Sequence, residues 1–200
     1  MQNAVASSNS RLGKEQLRAV TAIALSPSVS CATFNKNVES TPLEKATAIL
    51  DELHVPFVIN QNRYSIFDRT IEHNGLKDTA AKLHKGIITF SPLAQGLLTD
   101  KYLKGIPEDS RIKTDGRFLH ADQLTPEKLA QITALNELAK NRGQTLAQMA
   151  LSWVLRDGEV TSVLIGASKP EQILENLEIV GHTSFTEEEL RAIDAISPAE

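Results

Sequence analysis

Two hydrophobic rhythms alternate along residues 41–197: stretches at helical spacing, and short continuous apolar runs. Thr41-Pro42-Leu43-Glu44 predicts a helix start, with Thr41 as N-cap, Pro42 at the first helical position and Glu44 closing a capping box. That helix is expected to run to about Leu53 and to stop before Val55-Pro56. FVINQN (57–62) then reads as a strand ending in polar groups. Residues 71–84 read as a helix, and GIITF (86–90) as the next strand.

A long loop is expected over about 100–124. Thr125-Pro126 opens a helix to about Asn141, which Gly143 terminates. Within 144–156, Leu146, Met149, Ala150, Trp153 and Val154 fall at i, i+3, i+4, i+7 and i+8, an amphipathic helix. TSVLIG (161–166) is a third apolar run. Residues 170–180 and 186–196 read as helices, the second with a Thr186…Glu189 capping box. Strands that are apolar throughout and alternate with helices imply a parallel sheet buried on both faces. The first 35 residues do not join this pattern. AVTAIALSPSVSCATF (19–34) is compatible with a strand or a poor helix, and MQNAVASSNS is expected to be disordered.

In a parallel α/β sheet, functional groups collect at the carboxyl ends of the strands. After the first run come Gln61, Asn62, Arg63 and Tyr64. After the second come Ser91, Pro92, Leu93, Ala94, Gln95 and Gly96. After the third come Gly166, Ala167, Ser168, Lys169 and Pro170, entering a helix. There Gly166 allows close backbone approach, Ser168 offers an N-cap, the helix start offers free N–H groups, and Lys169 adds a cation. On this segment alone two readings stay open: a phosphate site, or an ordinary strand–turn–helix connection capped by Ser168 and Glu171.

Composition narrows the classes. The chain has 200 residues, 41% of them hydrophobic, and a formal net charge of −4. It has no Lys/Arg stripe, which argues against nucleic acid as a partner. The single cysteine, Cys31, suits a reducing compartment, and no Cys or His pairs stand at zinc-ligand spacing. The start lacks the apolar core of a signal peptide, and no run approaches the ~18 apolar residues of a membrane span. A cytoplasmic protein without a membrane partner is expected.

Four stretches carry a specific resemblance: NQNRYSIFDR (60–69), GIITFSPLAQGLLTDKYLKGIPEDSR (86–111), QTLAQMALSWVLRDGEVTSVLIGASKPEQILENL (144–177) and FTEEELRAID (185–194). In this order they resemble the carboxyl-terminal half of the aldo-keto reductases, in the branch of bacterial glyceraldehyde-3-phosphate-type reductases and potassium-channel β subunits. The resemblance implies an α/β fold, part of a (β/α)8 TIM barrel with about three to four strands and their helices. It divides the chain into a poorly matching segment, 1–35, and the barrel half, 36–200. It also implies NADPH bound across the strand ends, for reduction of a small-molecule aldehyde or ketone.

Carried over residue by residue, Gln61 is implied near the nicotinamide, and Phe90 at the position that stacks on it. Ser91, Pro92, Leu93, Ala94 and Gly96 are implied along the pyrophosphate, with Lys101 as a charge partner and Arg111 closing over the cofactor. Gly166, Ser168, Gln172, Glu175 and Asn176 match the adenosine and 2′-phosphate region, with Lys169 as a further 2′-phosphate contact. Plainer alternatives stand beside these roles. Glu175 and Asn176 also suit solvated helix positions, Lys101 and Arg111 loop charges, Phe90 the core, and Ser91-Pro92 a simple turn.

The family's chemistry needs a tyrosine general acid, tuned by a lysine–aspartate pair, and a His or Asn that orients the carbonyl; the acid is central because hydride addition is coupled to proton delivery. The tyrosine sits in a D-T-A-x-x-Y-G-type segment absent here: Asp78-Thr79-Ala80 is followed by Ala81-Lys82-Leu83-His84. Tyr64 and Tyr102 match non-catalytic positions, and the five histidines (54, 73, 84, 120, 182) are expected at the surface. Phe34-Asn35-Lys36-Asn37-Val38 stands where the family has an Ile-Ser-Asn-Tyr-like strand end, and Asn37 alone matches its asparagine.

A whole barrel needs ~250 residues. The expectation is therefore a truncated reductase that keeps the cofactor half and lacks the catalytic acid. Such a chain would be inactive alone and would self-associate or be complemented by the missing half. The alternatives are a non-catalytic NADPH-binding or partner-docking module, or a decayed or artificially shortened product.

Overall fold

The computed structural model describes residues 40–108, 110–114, 119–167 and 169–198, without the side chains of Ser40, Thr41, Arg111 and Thr114. The expectations for residues 1–35, for Asn37, for Ser168 and for the Arg111 side chain lie outside the described residues.

Helix α1 (Ser40–Glu52) starts one residue before the expected Thr41 cap, so Thr41 lies inside the helix. Strand β1 (Ile59–Arg63) follows, two residues later than the apolar run suggested. The single helix expected over 71–84 is two, α2 (Thr70–His73) and α3 (Leu76–Lys82). Gly75 takes φ +72° between them, and Asn74 Oδ1 accepts the Leu76 amide at 3.0 Å, so the second helix has its own start. Strand β2 is Gly86–Phe90, as expected. The long loop holds 3₁₀ turns at Asp100–Tyr102 and Ala121–Gln123 and the short helix α4 (Arg111–Thr114).

Helix α5 (Pro126–Asn141) has the expected Thr125 cap, whose side chain accepts from the Lys128 amide. Helix α6 (Leu146–Val154) spans its apolar pattern but not the whole 144–156 stretch; it starts at Leu146 because Thr145 and Gln148 cap each other, amide to side chain in both directions. Strand β3 is Ser162–Val163, although the Thr161 and Leu164 amides still donate to Ile87 and Thr89 at 2.8 Å. Helices α7 (Pro170–Leu177) and α8 (Glu187–Ile196) close the described chain, the latter with the expected Thr186–Glu189 box.

The three strands are parallel in the order β1-β2-β3, with Gln61 opposite Ile88 and Ile88 opposite Ser162. Strand alternation puts Asn60, Asn62, Ile87, Thr89 and Val163 on one face and Gln61, Ile88, Phe90 and Ser162 on the other. The core gathers Ile87, Val163, Leu76, Ile132, Leu135 and almost all of α6. Each parallel crossover carries at least one helix, the arrangement of consecutive β/α units in a barrel.

Around Trp153 the helix layer is cross-linked by charge. The Tyr64 ring lies 5.2 Å from it, the Arg156 guanidinium 3.9 Å over it and that of Arg69 4.7 Å away. Arg156 also donates to Glu72 at 2.8 Å, and the Tyr64 hydroxyl donates to the same carboxylate. Burial pushes the Tyr64 phenol well above its ordinary pKa. Burial alone would raise Glu72, but hydrogen bonds from Tyr64 and Arg156 outweigh it and hold the carboxylate below its usual range.

Candidate functional site

A cleft of about 1020 Å³ lies at the carboxyl ends of β2 and β3. One wall grows from the end of β2. Phe90 closes the strand, and the chain then turns sharply through left-handed residues: Ser91 (φ +55°), Ala94 (+47°), Gln95 (+60°) and Gly96 (+98°). Thr99 Oγ1 donates to the Gly96 carbonyl at 2.7 Å and accepts from the Lys101 amide, which fixes the far end of the turn. Tyr102 is buried, and its ring lies 3.8 Å from where a Cβ on Gly96 would sit.

The opposite wall comes from the end of β3. The N-cap of α7 is Lys169 rather than the expected Ser168. Pro170 at the first helical position explains this: its ring pushes the preceding residue into the extended region, and Lys169 has φ −138° and ψ 145°. Gln172 Oε1 accepts the Lys169 amide at 3.3 Å, the role expected of Glu171. Thr145 and Ala147 at the start of α6 also line the cleft. Gln148 Nε2 donates to the Glu175 carbonyl and to the Glu178 carboxylate, both at 2.9 Å, which ties α6 to α7.

Ten residues expected at a cofactor site line this cleft: Ser91, Pro92, Leu93, Gly96 and Lys101 from the first wall, and Gly166, Lys169, Gln172, Glu175 and Asn176 from the second. Two segments far apart in sequence are thus brought to one space. Gln61, Phe90 and Ala94 are not among the lining residues. Gln61 is on β1, one strand away, Phe90 is the half-buried last residue of β2, and Ala94 is buried.

The sequence did not point to Thr145 and Ala147 of the α6 turn, nor to Thr99, Asp100 and Pro107. The T-x-x-Q capping signature at 145–148 was the available signal for the α6 turn. Charged side chains on the lining are Asp100, Lys101, Lys169 and Glu175, two of each sign. An anionic ligand here would be held by the two lysines together with backbone amides of the turn and the helix starts. No cluster of three metal-ligating side chains occurs among the described residues. All five histidines are exposed, as expected.

The sequence model of the Aldo/keto reductase family matches residues 30–198. The chain belongs to the aldo/keto reductase family. It is 47% identical over 154 residues to an L-glyceraldehyde 3-phosphate reductase of Escherichia coli K12, covering 76% of this chain and 44% of the relative. A protein of Schizosaccharomyces pombe named as a voltage-gated potassium channel subunit beta is 37% identical over 143 residues, 70% of this chain and 42% of its own length. The solved structure of a glycerol dehydrogenase from Gluconobacter oxydans superposes with a TM-score of 0.61 at 30% identity, over 76% of this chain and 45% of that one. The chain thus spans about half the length of the aldo/keto reductases it matches, and its fold is the corresponding part of their barrel.

Proposed function

We propose that this chain is the cofactor-holding half of an NADPH-dependent carbonyl reductase that works in the cytoplasm. The observation that carries the proposal is the convergence of ten expected cofactor residues on one cleft with a lysine on each wall. The site suits a dinucleotide: its volume of about 1020 Å³ is at the upper end of the range for small-ligand pockets, and Gly96 at φ +98° lets the backbone come close to a ligand. Bound NADPH supplies a hydride to a carbonyl carbon. Lys101 and the turn at 91–96 serve the pyrophosphate, while Lys169, Gln172 and Asn176 serve the adenosine end, with Lys169 selecting for a 2′-phosphate.

The proton for the carbonyl oxygen has to come from elsewhere. Tyr64 is buried in the helix layer with its pKa raised, the opposite of what a general acid needs. Tyr102 is buried under Gly96 as part of the wall.

The reading also names a partner. Exposed Ile49, Leu53 and Val58 belong to segments leading into β1, and exposed Ile173 and Leu174 to the helix that follows β3. β1 and β3 are the two outer strands of the described sheet. A complementary half-barrel from the family, with the acid, would cover both sets and pair both edges.

The test is an NADPH titration of the chain followed by nicotinamide fluorescence, with NADH alongside. Saturable binding that favours NADPH and weakens at least about tenfold on Lys169→Glu is expected, the loss of one charge-assisted contact plus like-charge repulsion. A folded chain that binds neither nucleotide overturns the proposal.

A further inference from the structure

The wall that follows β2 poses a mechanical problem. Ser91, Ala94 and Gln95 are not glycines, yet each holds a left-handed backbone. Such residues keep that conformation only where their surroundings impose it. Glutamine has no special preference for it, unlike asparagine or glycine, so a reason has to be found in its side chain.

The half of the turn farther from β2 is fastened by Thr99 on the Gly96 carbonyl and by the buried Leu98 and Tyr102. The half nearer β2 is spanned by a side-chain hydrogen bond: Gln95 Nε2 donates to Ser91 Oγ at 2.8 Å. One backbone bond lies inside the loop this clasp closes, Ala94 N to Ser91 O at 2.9 Å, and a second, Gly96 N to Leu93 O at 2.8 Å, overlaps it. Gln95 and Ser91 both line the cleft, whereas Ala94 is buried beneath them, so the clasp lies on the surface a ligand touches.

We infer that Gln95 is a positioning residue, which clasps Ser91 and holds the strained turn in its ligand-ready shape before a ligand arrives. It thereby sets the affinity of this wall for the diphosphate bridge of a dinucleotide. The inference rests on the cofactor reading above, but the clasp itself is tested without nucleotide. Preorganisation of this kind raises affinity by removing the cost of ordering the turn on binding.

The experiment uses the full chain with Gln95→Ala, Ser91→Ala, both together, and Gln95→Glu, whose carboxylate still accepts a hydrogen bond from the Ser91 hydroxyl. Amide exchange over residues 93–98 is measured without ligand, followed by binding of NADPH and of 2′-AMP, which lacks the diphosphate. For a hydrogen bond of ordinary net strength, each alanine variant speeds exchange about tenfold at 93–98 and not in α5 or α6. The double variant is no worse than either single one. NADPH binding weakens about as much while 2′-AMP binding is unchanged, a split that a general loss of stability would not produce. Gln95→Glu keeps the slow exchange but binds NADPH more weakly, through charge repulsion.

Unchanged exchange in Gln95→Ala, additive effects in the double variant, or equal weakening of 2′-AMP overturns the inference. If the unaltered chain fails to bind NADPH, the cofactor reading and the affinity role of Gln95 fall together. The exchange rates still decide whether the clasp holds the turn.

Discussion

Two regions of the molecule, the helix layer around Trp153 and the cleft, treat charge in opposite ways. Around Trp153, Arg156, Glu72 and the Tyr64 hydroxyl are packed against one another in the helix layer, with Arg69 alongside and bound to Asp194 at 2.5 Å. At the cleft, two lysines and two carboxylates line an open space. In the first arrangement each cation faces a carboxylate of the fold, Arg156 with Glu72 and Arg69 with Asp194, although Arg69 Nη2 is buried without a hydrogen-bond partner. The second sets charges of both signs along an open cleft that a ligand can reach. The contrast teaches that this half-barrel puts its rigidity in the helix layer and its responsiveness at the strand ends.

Removing the centre of the rigid region has the largest expected effect. Trp153→Ala lowers unfolding stability by about 3–5 kcal/mol, the usual cost of deleting a large buried aromatic, as measured by urea unfolding. Arg156→Gln leaves Glu72 without its cation and costs about 2 kcal/mol.

The same region has a pH signature. Glu72 and Asp157 both have lowered pKa values; at each, burial would raise the value but hydrogen bonds outweigh it, from Tyr64 and Arg156 at Glu72 and from Lys77 at Asp157. Their folded values lie below their unfolded ones, so they stabilise the fold at neutral pH. That contribution is lost as pH falls through the ordinary carboxylate range of about 4 and below. An acid titration of stability should therefore fall less steeply for Glu72→Gln than for the unaltered chain. An identical slope would mean that Glu72 is not coupled to folding.

At the responsive region, effects on binding should exceed effects on folding. Gly96→Ala forces a side chain onto φ +98° and costs about 1–2 kcal/mol of stability; the Tyr102 ring at 3.8 Å adds only ordinary contact. Nucleotide affinity should fall with it. Lys101→Gln changes stability by less than about 0.5 kcal/mol but weakens NADPH binding severalfold by titration. The smallest change is a gain. His84 follows the Leu83 C-cap of α3 at φ +54°, where glycine is favoured, and His84→Gly should raise stability by about 0.5 kcal/mol, read as a higher Tm.

How much of this was legible in the sequence depended on how local the cause was. The caps at Thr125 and Thr186 are set by neighbours within four residues, and the sequence placed them correctly. The two walls of the cleft were also legible, because strand ends announce themselves by a change from apolar to polar residues. The break at Asn74-Gly75 was readable in principle but was overridden by the helical pattern on both sides. The role of the α6 first turn was hidden, because periodicity says which face of a helix is buried and not what its end overlooks. The cluster on Trp153 was the least accessible. It joins Tyr64 to Arg156 across 92 residues of sequence, and no local pattern encodes such a meeting.

One feature of the sheet reaches into folding and handling. β2 and β3 meet where Ile87 pairs with the Thr161 side chain, 74 residues further along the chain. The walls of the cleft therefore become neighbours only after that long segment has closed, a slow kind of contact to form. A ligand that touches both walls binds the closed state alone. At a hundred times its dissociation constant it would add about 2.7 kcal/mol to that state. The nucleotide would then act as a folding aid for the half-barrel, and the yield of folded chain would track the nucleotide present while it folds.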